Sequence, residues 1–185
     1  MRVAMSEALP TFIYHPDPIA TGSIVESEEV CECCGRARGY KYEGPTYCEA
    51  EVEAICPWCI ADGSAHEKFD AQLTDREGIG DFGHWGSVSD AVADTVAHRT
   101  PGFNGWQQER WWVCCDDAAA FLGAAGKVEL EAFGNSATDA IRAGAGLEGD
   151  EWREYFDALS KVSGPTAYVF RCLHCGKLGG YSDCH

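Results

Sequence analysis

The stretch that decides the fold begins with CECCG at residues 31–35 and ends with CPWC at residues 56–59. Each motif carries two cysteines at positions i and i+3, and such a pair can converge on one ion when the backbone turns sharply between its members. Zn²⁺ takes four thiolates in a tetrahedron, and a closed shell of four sulfurs leaves no position for water. The spacing therefore predicts a structural zinc site. Its predicted ligands are Cys31, Cys34, Cys56 and Cys59.

The segment between and after these pairs predicts a treble-clef-like zinc finger lobe over residues 31–69. Residues 39–47 hold two β-prone runs around Glu43-Gly44-Pro45 and predict a hairpin. Residues 57–69 have a helix-like composition, with Pro57 suited to the first turn. A knuckle, a hairpin and a cysteine pair at a helix start follow the treble-clef order. The alternative, a redox Cys-x-x-Cys pair, needs a βαβ context that neither pair has.

A second knuckle motif, CLHCG at residues 172–176, needs further ligands from elsewhere in the chain. The strongest candidates follow a strand predicted at residues 111–113, which could lie beside the strand that enters the knuckle. Asp117 could instead cap a helix predicted at residues 116–123, and the sequence leaves ligation and capping equally open. Three protein ligands and a water would make the site catalytic. The residues predicted for this second zinc site are Cys114, Cys115, Asp117, Cys172 and Cys175.

Composition and charge exclude several classes of protein. The 185 residues carry 30 acidic and 14 basic side chains, a net charge of −16, which argues against broad affinity for the phosphate backbone of nucleic acids. The sequence has no apolar window that could span a membrane and no secretory signal at its start, which predicts a cytoplasmic protein. In that setting the eleven cysteines indicate metal ligands rather than disulfides. No partner or substrate is identified.

Hydrophobic periodicity predicts a mixed α+β fold in one domain over residues 1–185. Within it, the zinc finger lobe covers residues 31–69, and an α+β part at residues 88–185 carries the C-terminal knuckle. The periodic segments predict helices at residues 88–99 and after Asp150, and strands at residues 127–132 and 166–171.

Several motifs together resemble the CbrC family, over about residues 10–183. They are Tyr14-His15-Pro16-Asp17-Pro18, Cys56-Pro57-Trp58-Cys59-Ile60-Ala61, Arg99-Thr100-Pro101-Gly102, Trp106-Gln107-Gln108 and Phe170-Arg171-Cys172-Leu173-His174-Cys175-Gly176. The resemblance implies a small bacterial protein largely without assigned biochemistry, whose enterobacterial member is associated with tolerance to a DNase-type colicin. Where the family pattern has a His-Cys pair, this chain has Cys114-Cys115, which keeps a metal-binding donor.

Two functions of different classes follow from these patterns. The first is a non-catalytic zinc protein with a binding or stress-tolerance role, such as colicin tolerance. The alternative is a zinc-dependent hydrolase acting on phosphodiesters at the second site, with Glu109, His98 or His84 as candidates for proton transfer. Thiolate-rich zinc is usually structural, and the acidic chain repels nucleic acid, so the sequence favours the first function.

Overall fold

A computed structural model describes residues 7–185. Within them the fold is mixed α+β, as predicted, with six α-helices and seven short strands. The chain divides into two compact units. The first comprises the residues up to Arg76 together with Ala93–Asn104, and the second comprises Glu77–Val92 together with Gly105–His185.

The first unit is built around a small antiparallel sheet and two short helices. Its elements are β1 (Ile24–Glu26), β2 (Tyr40–Tyr42), α1 (Pro57–Ala61) and α2 (Ser64–Phe69). The predicted helix over residues 57–69 is confirmed in two pieces, because Gly63 lies in the left-handed region at φ 84° and separates α1 from α2. Pro57 occupies the first turn of α1, where its missing N–H leaves no intrahelical bond unmade.

The hairpin predicted at residues 39–47 is wrong, because β2 pairs with β1 instead. The side chain of Tyr42 explains why the chain does not reverse tightly. Its buried hydroxyl donates a hydrogen bond to the carbonyl of Pro45 over 2.8 Å, so the following residues wrap around the ring. A Cβ at Gly44 would lie 2.4–2.6 Å from the outer atoms of the Tyr42 side chain, so this wrapping requires glycine.

Cysteines form part of the hydrophobic core of the first unit. Three of the four predicted zinc ligands belong to this core and are 1–2% exposed. The core therefore closes around the place where a metal would lie. Its buried members are Phe12, Ile24, Cys31, Tyr42, Ile55, Cys56, Cys59, Ile60, Ala65 and Leu73.

Helix α3 (Asp90–Arg99) confirms the helix predicted at residues 88–99. A side chain caps its start, since the backbone N–H of Val92 donates to the hydroxyl of Ser89 over 3.3 Å.

The second unit has a core of its own, made by a three-stranded antiparallel sheet and three helices. The sheet order is β5-β6-β7, and α5 packs on β7. The remaining elements are β3 (Val113–Cys114), β4 (Asp117–Ala118), β5 (Ala120–Ala125), α4 (Lys127–Phe133), α5 (Asn135–Ala145), α6 (Gly149–Ala158), β6 (Thr166–Arg171) and β7 (Leu178–Asp183). Strand β6 and the helix after Asp150 are confirmed.

Two other predictions in the second unit are wrong. Residues 116–123 form no helix, because a turn with positive φ at Cys115 and Asp116 leads into β4, and β5 finds its hydrogen bonds in the sheet with β6. Residues 127–132 form helix α4, although their apolar residues alternate. The Glu129 carboxylate accepts a hydrogen bond from the backbone N–H of Gly126 over 2.9 Å, which caps the helix start, and Val128 is 73% exposed.

His15 lies fully buried in the first unit, where both ring nitrogens have partners. Nδ1 donates to the carbonyl of Pro101 over 2.7 Å, so Nε2 accepts from the hydroxyl of Thr21, also over 2.7 Å. This arrangement fits the neutral imidazole and leaves no ring nitrogen for a metal. Burial lowers the pKa of His15 from 6.5 to about 4, while the bond to Pro101 and the charge of Asp17 act in the opposite direction.

We expect His15 to make the first unit less stable in acid. Between pH 6.5 and pH 4, the imidazole of His15 is protonated in the unfolded chain but stays neutral in the folded chain. The free energy of unfolding therefore falls by about 1.4 kcal/mol per pH unit, and the loss reaches about 3 kcal/mol near pH 4. The measurement is denaturant unfolding at pH 7 and pH 4 for the wild type and for His15→Gln. Equal pH dependence in the two proteins would contradict the prediction.

Candidate metal centres

The four cysteines predicted from the first motif pair lie together as a tetrad. One sulfur atom from each lies within 4.8 Å of the other three. Cys31 Sγ is 3.9 Å from Cys59 Sγ, Cys34 Sγ is 3.9 Å from Cys56 Sγ, and the sulfurs of Cys56 and Cys59 are 3.5 Å apart. A Zn²⁺ ion with bonds of about 2.3 Å to four sulfurs gives a tetrahedron with edges of about 3.8 Å. The donor set and its spacing fit a tetrahedral metal.

Local backbone geometry brings the first four sulfurs together. In the knuckle, the N–H of Gly35 donates to the carbonyl of Cys31 over 2.7 Å, and Gly35 has φ 69°. The second pair lies at the start of α1, where Cys56 is the N-cap and Cys59 belongs to the first turns. The backbone N–H of Cys56 donates to Cys31 Sγ over 3.2 Å, which joins the two pairs directly.

The protonation of the first tetrad shows why a cation suits it. Burial raises the pKa of Cys56 to about 11 and raises the pKa of Cys59 further. Burial also opposes ionisation of Cys31, but backbone N–H groups of Cys34 and Cys56 outweigh it and lower the pKa of Cys31. Several thiolates in this core are costly without a positive charge, and a divalent metal supplies that charge.

Two cysteines of the first unit lie outside the tetrad. Cys33 is inside the knuckle, with its sulfur 3.5 Å from the hydroxyl of Ser64, and Cys48 points its sulfur to the carbonyl of Ala50 over 3.1 Å. The i, i+3 spacing rule selects Cys31 over Cys33, and the structure likewise groups Cys31 with the other three cysteines.

The second tetrad unites the C-terminal knuckle with the adjacent cysteines Cys114 and Cys115. The four sulfurs again lie within 4.8 Å of one another. Cys114 Sγ is 3.8 Å from Cys115 Sγ and 3.8 Å from Cys175 Sγ, which matches the edge of a zinc–sulfur tetrahedron. The fourth member is Cys172, and all four residues belong to the second unit. The eleven cysteines, which all lie within residues 7–185, form no disulfide.

Two tight turns present these sulfurs. Strands β3 and β4 form a hairpin whose two turn residues, Cys115 and Asp116, have φ 56° and 57°. Positive φ at both central residues defines a type I′ turn. The knuckle repeats the first one, since the N–H of Gly176 donates to the carbonyl of Cys172 over 3.1 Å and Gly176 has φ 72°.

Asp117 is placed beside the second tetrad and is not one of its four grouped donors. Its Oδ2 lies 2.8 Å from Nε2 of His174, and its Oδ1 accepts from the N–H of Ala118 over 2.8 Å. The helix that it was predicted to cap is not formed, because Asp117 begins β4. The sequence left open which of Cys114, Cys115 and Asp117 lie with the knuckle, and the structure brings both cysteines there.

The two tetrads differ sharply in exposure. In the first, Cys31, Cys56 and Cys59 are buried and Cys34 is exposed. In the second, Cys172 alone of the four is buried, while Cys115 and Cys175 are exposed.

The three candidates for proton transfer have other surroundings. His98 belongs to the first unit, where its ring stacks on that of His66 with centroids 3.6 Å apart. His84 is exposed on a loop and its Nδ1 lies 2.8 Å from the carbonyl of Asp81. Glu109 is 2% exposed.

Two four-cysteine clusters on an α+β scaffold define a cysteine-rich protein equipped to hold metal ions. Comparison with protein families gives the particular assignment. The model of the family described as "Uncharacterised protein family (UPF0167)" matches residues 9–184, so the chain belongs to this family.

Curated relatives cover nearly the whole chain. A UPF0167 protein of Pseudomonas aeruginosa is 43% identical over 175 residues, which span 94% of this chain and 96% of the relative. UPF0167 proteins of Mycobacterium bovis and Mycobacterium tuberculosis are each 46% identical over 184 residues, spanning 96% of this chain and 94% of the relative. No solved structure matches the chain significantly. Among residues 7–185, no helix combines the length and apolar character needed to cross a membrane, and the predicted cytoplasmic location stays a prediction.

Proposed function

We propose that this chain is a non-catalytic zinc-binding protein whose two cysteine tetrads each hold one structural Zn²⁺ ion. The observation that carries the proposal is the presence of two sulfur tetrads whose measured S–S distances, 3.5–3.9 Å, suit a tetrahedral zinc–thiolate centre. Tetrahedral sulfur ligands select zinc or iron among biological metals, and neither carboxylate nor water is needed to complete the shell.

The proposed ions act on the fold in different ways. The first would neutralise thiolates within the core of the first unit and fix its two cysteine pairs to one point. The second would join the β3–β4 hairpin to the C-terminal knuckle. A protein of this kind acts by presenting a surface to another molecule. The proposal includes the resemblance to the CbrC family and the stress-tolerance role that this resemblance implies.

The alternative function, a zinc-dependent phosphodiesterase, requires an open coordination position for water. Cys115 weighs against it, because its sulfur supplies the fourth donor of the second tetrad. Asp117, the candidate for a mixed ligand shell, has its carboxylate hydrogen-bonded to His174.

The test is metal analysis of protein purified without added metal. We expect two zinc ions per chain, and two again in Asp117→Asn. Replacement of zinc by Co²⁺ should give the intense near-ultraviolet charge-transfer absorption of thiolate ligands. Protein without tightly held transition metal, or coloured protein that holds iron, would overturn the proposal. Chelator-sensitive turnover of a phosphodiester that is lost in Asp117→Asn with the fold retained would establish the alternative.

A further inference from the structure

The second tetrad differs from the first in offering more of its cysteines to solvent. Cys115 and Cys175 are exposed, and Cys114 is partly exposed. Small oxidants can therefore reach this centre without any opening of the fold. Thiolate character and solvent access together decide which cysteines oxidise, and zinc-bound cysteines are held as thiolates.

The residue at the tip of the β3–β4 hairpin indicates that its sulfur has a role. A type I′ turn favours Asn, Asp or Gly at its two central positions, since both have positive φ. Asp116 agrees with that preference, but Cys115, at φ 56°, does not. The turn therefore carries a cysteine against its local preference, and places that sulfur among the three others of the tetrad.

We infer that the second tetrad is a site of oxidative modification, at which hydrogen peroxide joins Cys114 to Cys175 in a disulfide and Zn²⁺ is released, while the first tetrad keeps its ion. This inference rests on the proposed function, because it takes both tetrads to be loaded with zinc. In the first tetrad Cys34 is the one exposed cysteine, and the burial of Cys31, Cys56 and Cys59 limits the access of the same reagent to the first centre.

Distance and position in the chain favour Cys114 and Cys175 as the pair that is joined. Cys114 Sγ lies 3.8 Å from both Cys115 Sγ and Cys175 Sγ. A disulfide between adjacent residues is disfavoured, because neighbouring Cα atoms are about 3.8 Å apart and disulfides usually need about 4.4–6.8 Å. Cys175 comes from a different segment and is exposed, so peroxide can reach its sulfur directly.

The chemistry balances with peroxide as the oxidant. The Cys175 thiolate attacks one peroxide oxygen, the O–O bond breaks, and a sulfenic acid and hydroxide result. The Cys114 thiolate then attacks the sulfenic sulfur, the S–O bond breaks, the S–S bond forms and a second hydroxide leaves. Two thiolates lose two electrons in total, peroxide becomes two waters after taking up two protons, and the ion loses two of its four ligands.

The experiment treats the two-zinc protein with hydrogen peroxide and follows metal release with a chromogenic chelator. We expect one of the two ions to be released, peptide mapping to find Cys114 linked to Cys175, and dithiothreitol with added Zn²⁺ to restore the starting state. The matched control is Cys48→Ser combined with Cys184→Ser, which removes two cysteines outside the tetrads and should release its ion at the wild-type rate.

The outcomes separate this inference from the proposed function. Release of both ions together, release from the first tetrad, or no release overturns the inference while the two-zinc protein stands. A preparation that holds zinc in the first tetrad alone also overturns it. Protein that contains no zinc at the start overturns the proposed function itself.

Discussion

Replacing Cys59 with serine is expected to remove one Zn²⁺ ion and to unfold the first unit. Cys59 is 2% exposed within the hydrophobic core, so the variant loses a ligand and leaves buried thiols around an incomplete site. Apparent zinc affinities of small metal-dependent folds correspond to about 10–16 kcal/mol, comparable with the total stability of a domain, about 5–15 kcal/mol. The measurements are zinc per chain and far-ultraviolet circular dichroism during thermal unfolding. Cys34→Ser should behave in the same way.

Cys48→Ser is the matched control for that experiment. It makes the same chemical change in the same unit, but its sulfur lies outside the tetrad, against the carbonyl of Ala50. We expect this control to keep both ions and the wild-type melting temperature. A Cys59→Ser protein that retains full zinc and native melting would show that the first tetrad does not hold the unit together.

The first tetrad could be predicted from the sequence because its cysteines form two local pairs. Each i, i+3 pair needs only one turn of chain, supplied by Gly35 in the knuckle and by the start of α1 after Pro57. The pairing of β2 depended on a distant partner. Residues 39–47 contain all the signals of a hairpin, but the ring of Tyr42 fills the inside of the turn and β1 supplies the hydrogen bonds.

The second site could be predicted only in part, because half of its donors come from a separate segment. The knuckle at residues 172–176 was evident, and β6 was correctly expected to lead into it. The choice among Cys114, Cys115 and Asp117 depended on the turn between β3 and β4. Two residues with positive φ form this turn, and no helix starts there. Two adjacent cysteines followed by two aspartates match no known spacing of metal ligands. The local sequence therefore could not decide which of these side chains face the knuckle.

The misassigned elements of the second unit have one physical cause each. The alternation of apolar residues at 127–132 predicts a strand, but the capping contact of Glu129 and the helix-forming residues favour helix α4. The three alanines of β5 favour a helix, and sheet pairing with β6 overrides that preference.

Trp111→Ala is expected to cost the second unit about 3–5 kcal/mol of unfolding free energy, as large aromatic truncations in cores do. Trp111 is fully buried, its ring centroid lies 5.7 Å from that of Phe170 and 6.3 Å from that of Phe121, and its indole N–H donates to the carbonyl of Ala119 over 2.9 Å. Denaturant unfolding followed by circular dichroism measures the loss. Trp111→Phe keeps most of the packing and removes the hydrogen bond, so it should cost less.

The same substitution should also weaken the second metal centre, because β3 begins at Val113 and delivers Cys114 to the tetrad. Without the ring of Trp111, the hairpin loses the packing that fixes its position, and more conformational freedom must be given up when the metal binds. Competition with a chelator of known affinity should therefore show weaker binding of one ion in Trp111→Ala, while the other ion, held by the first tetrad, keeps its affinity. Unchanged affinity for both ions would mean that the knuckle and the turn at Cys115 fix the second site without support from the core.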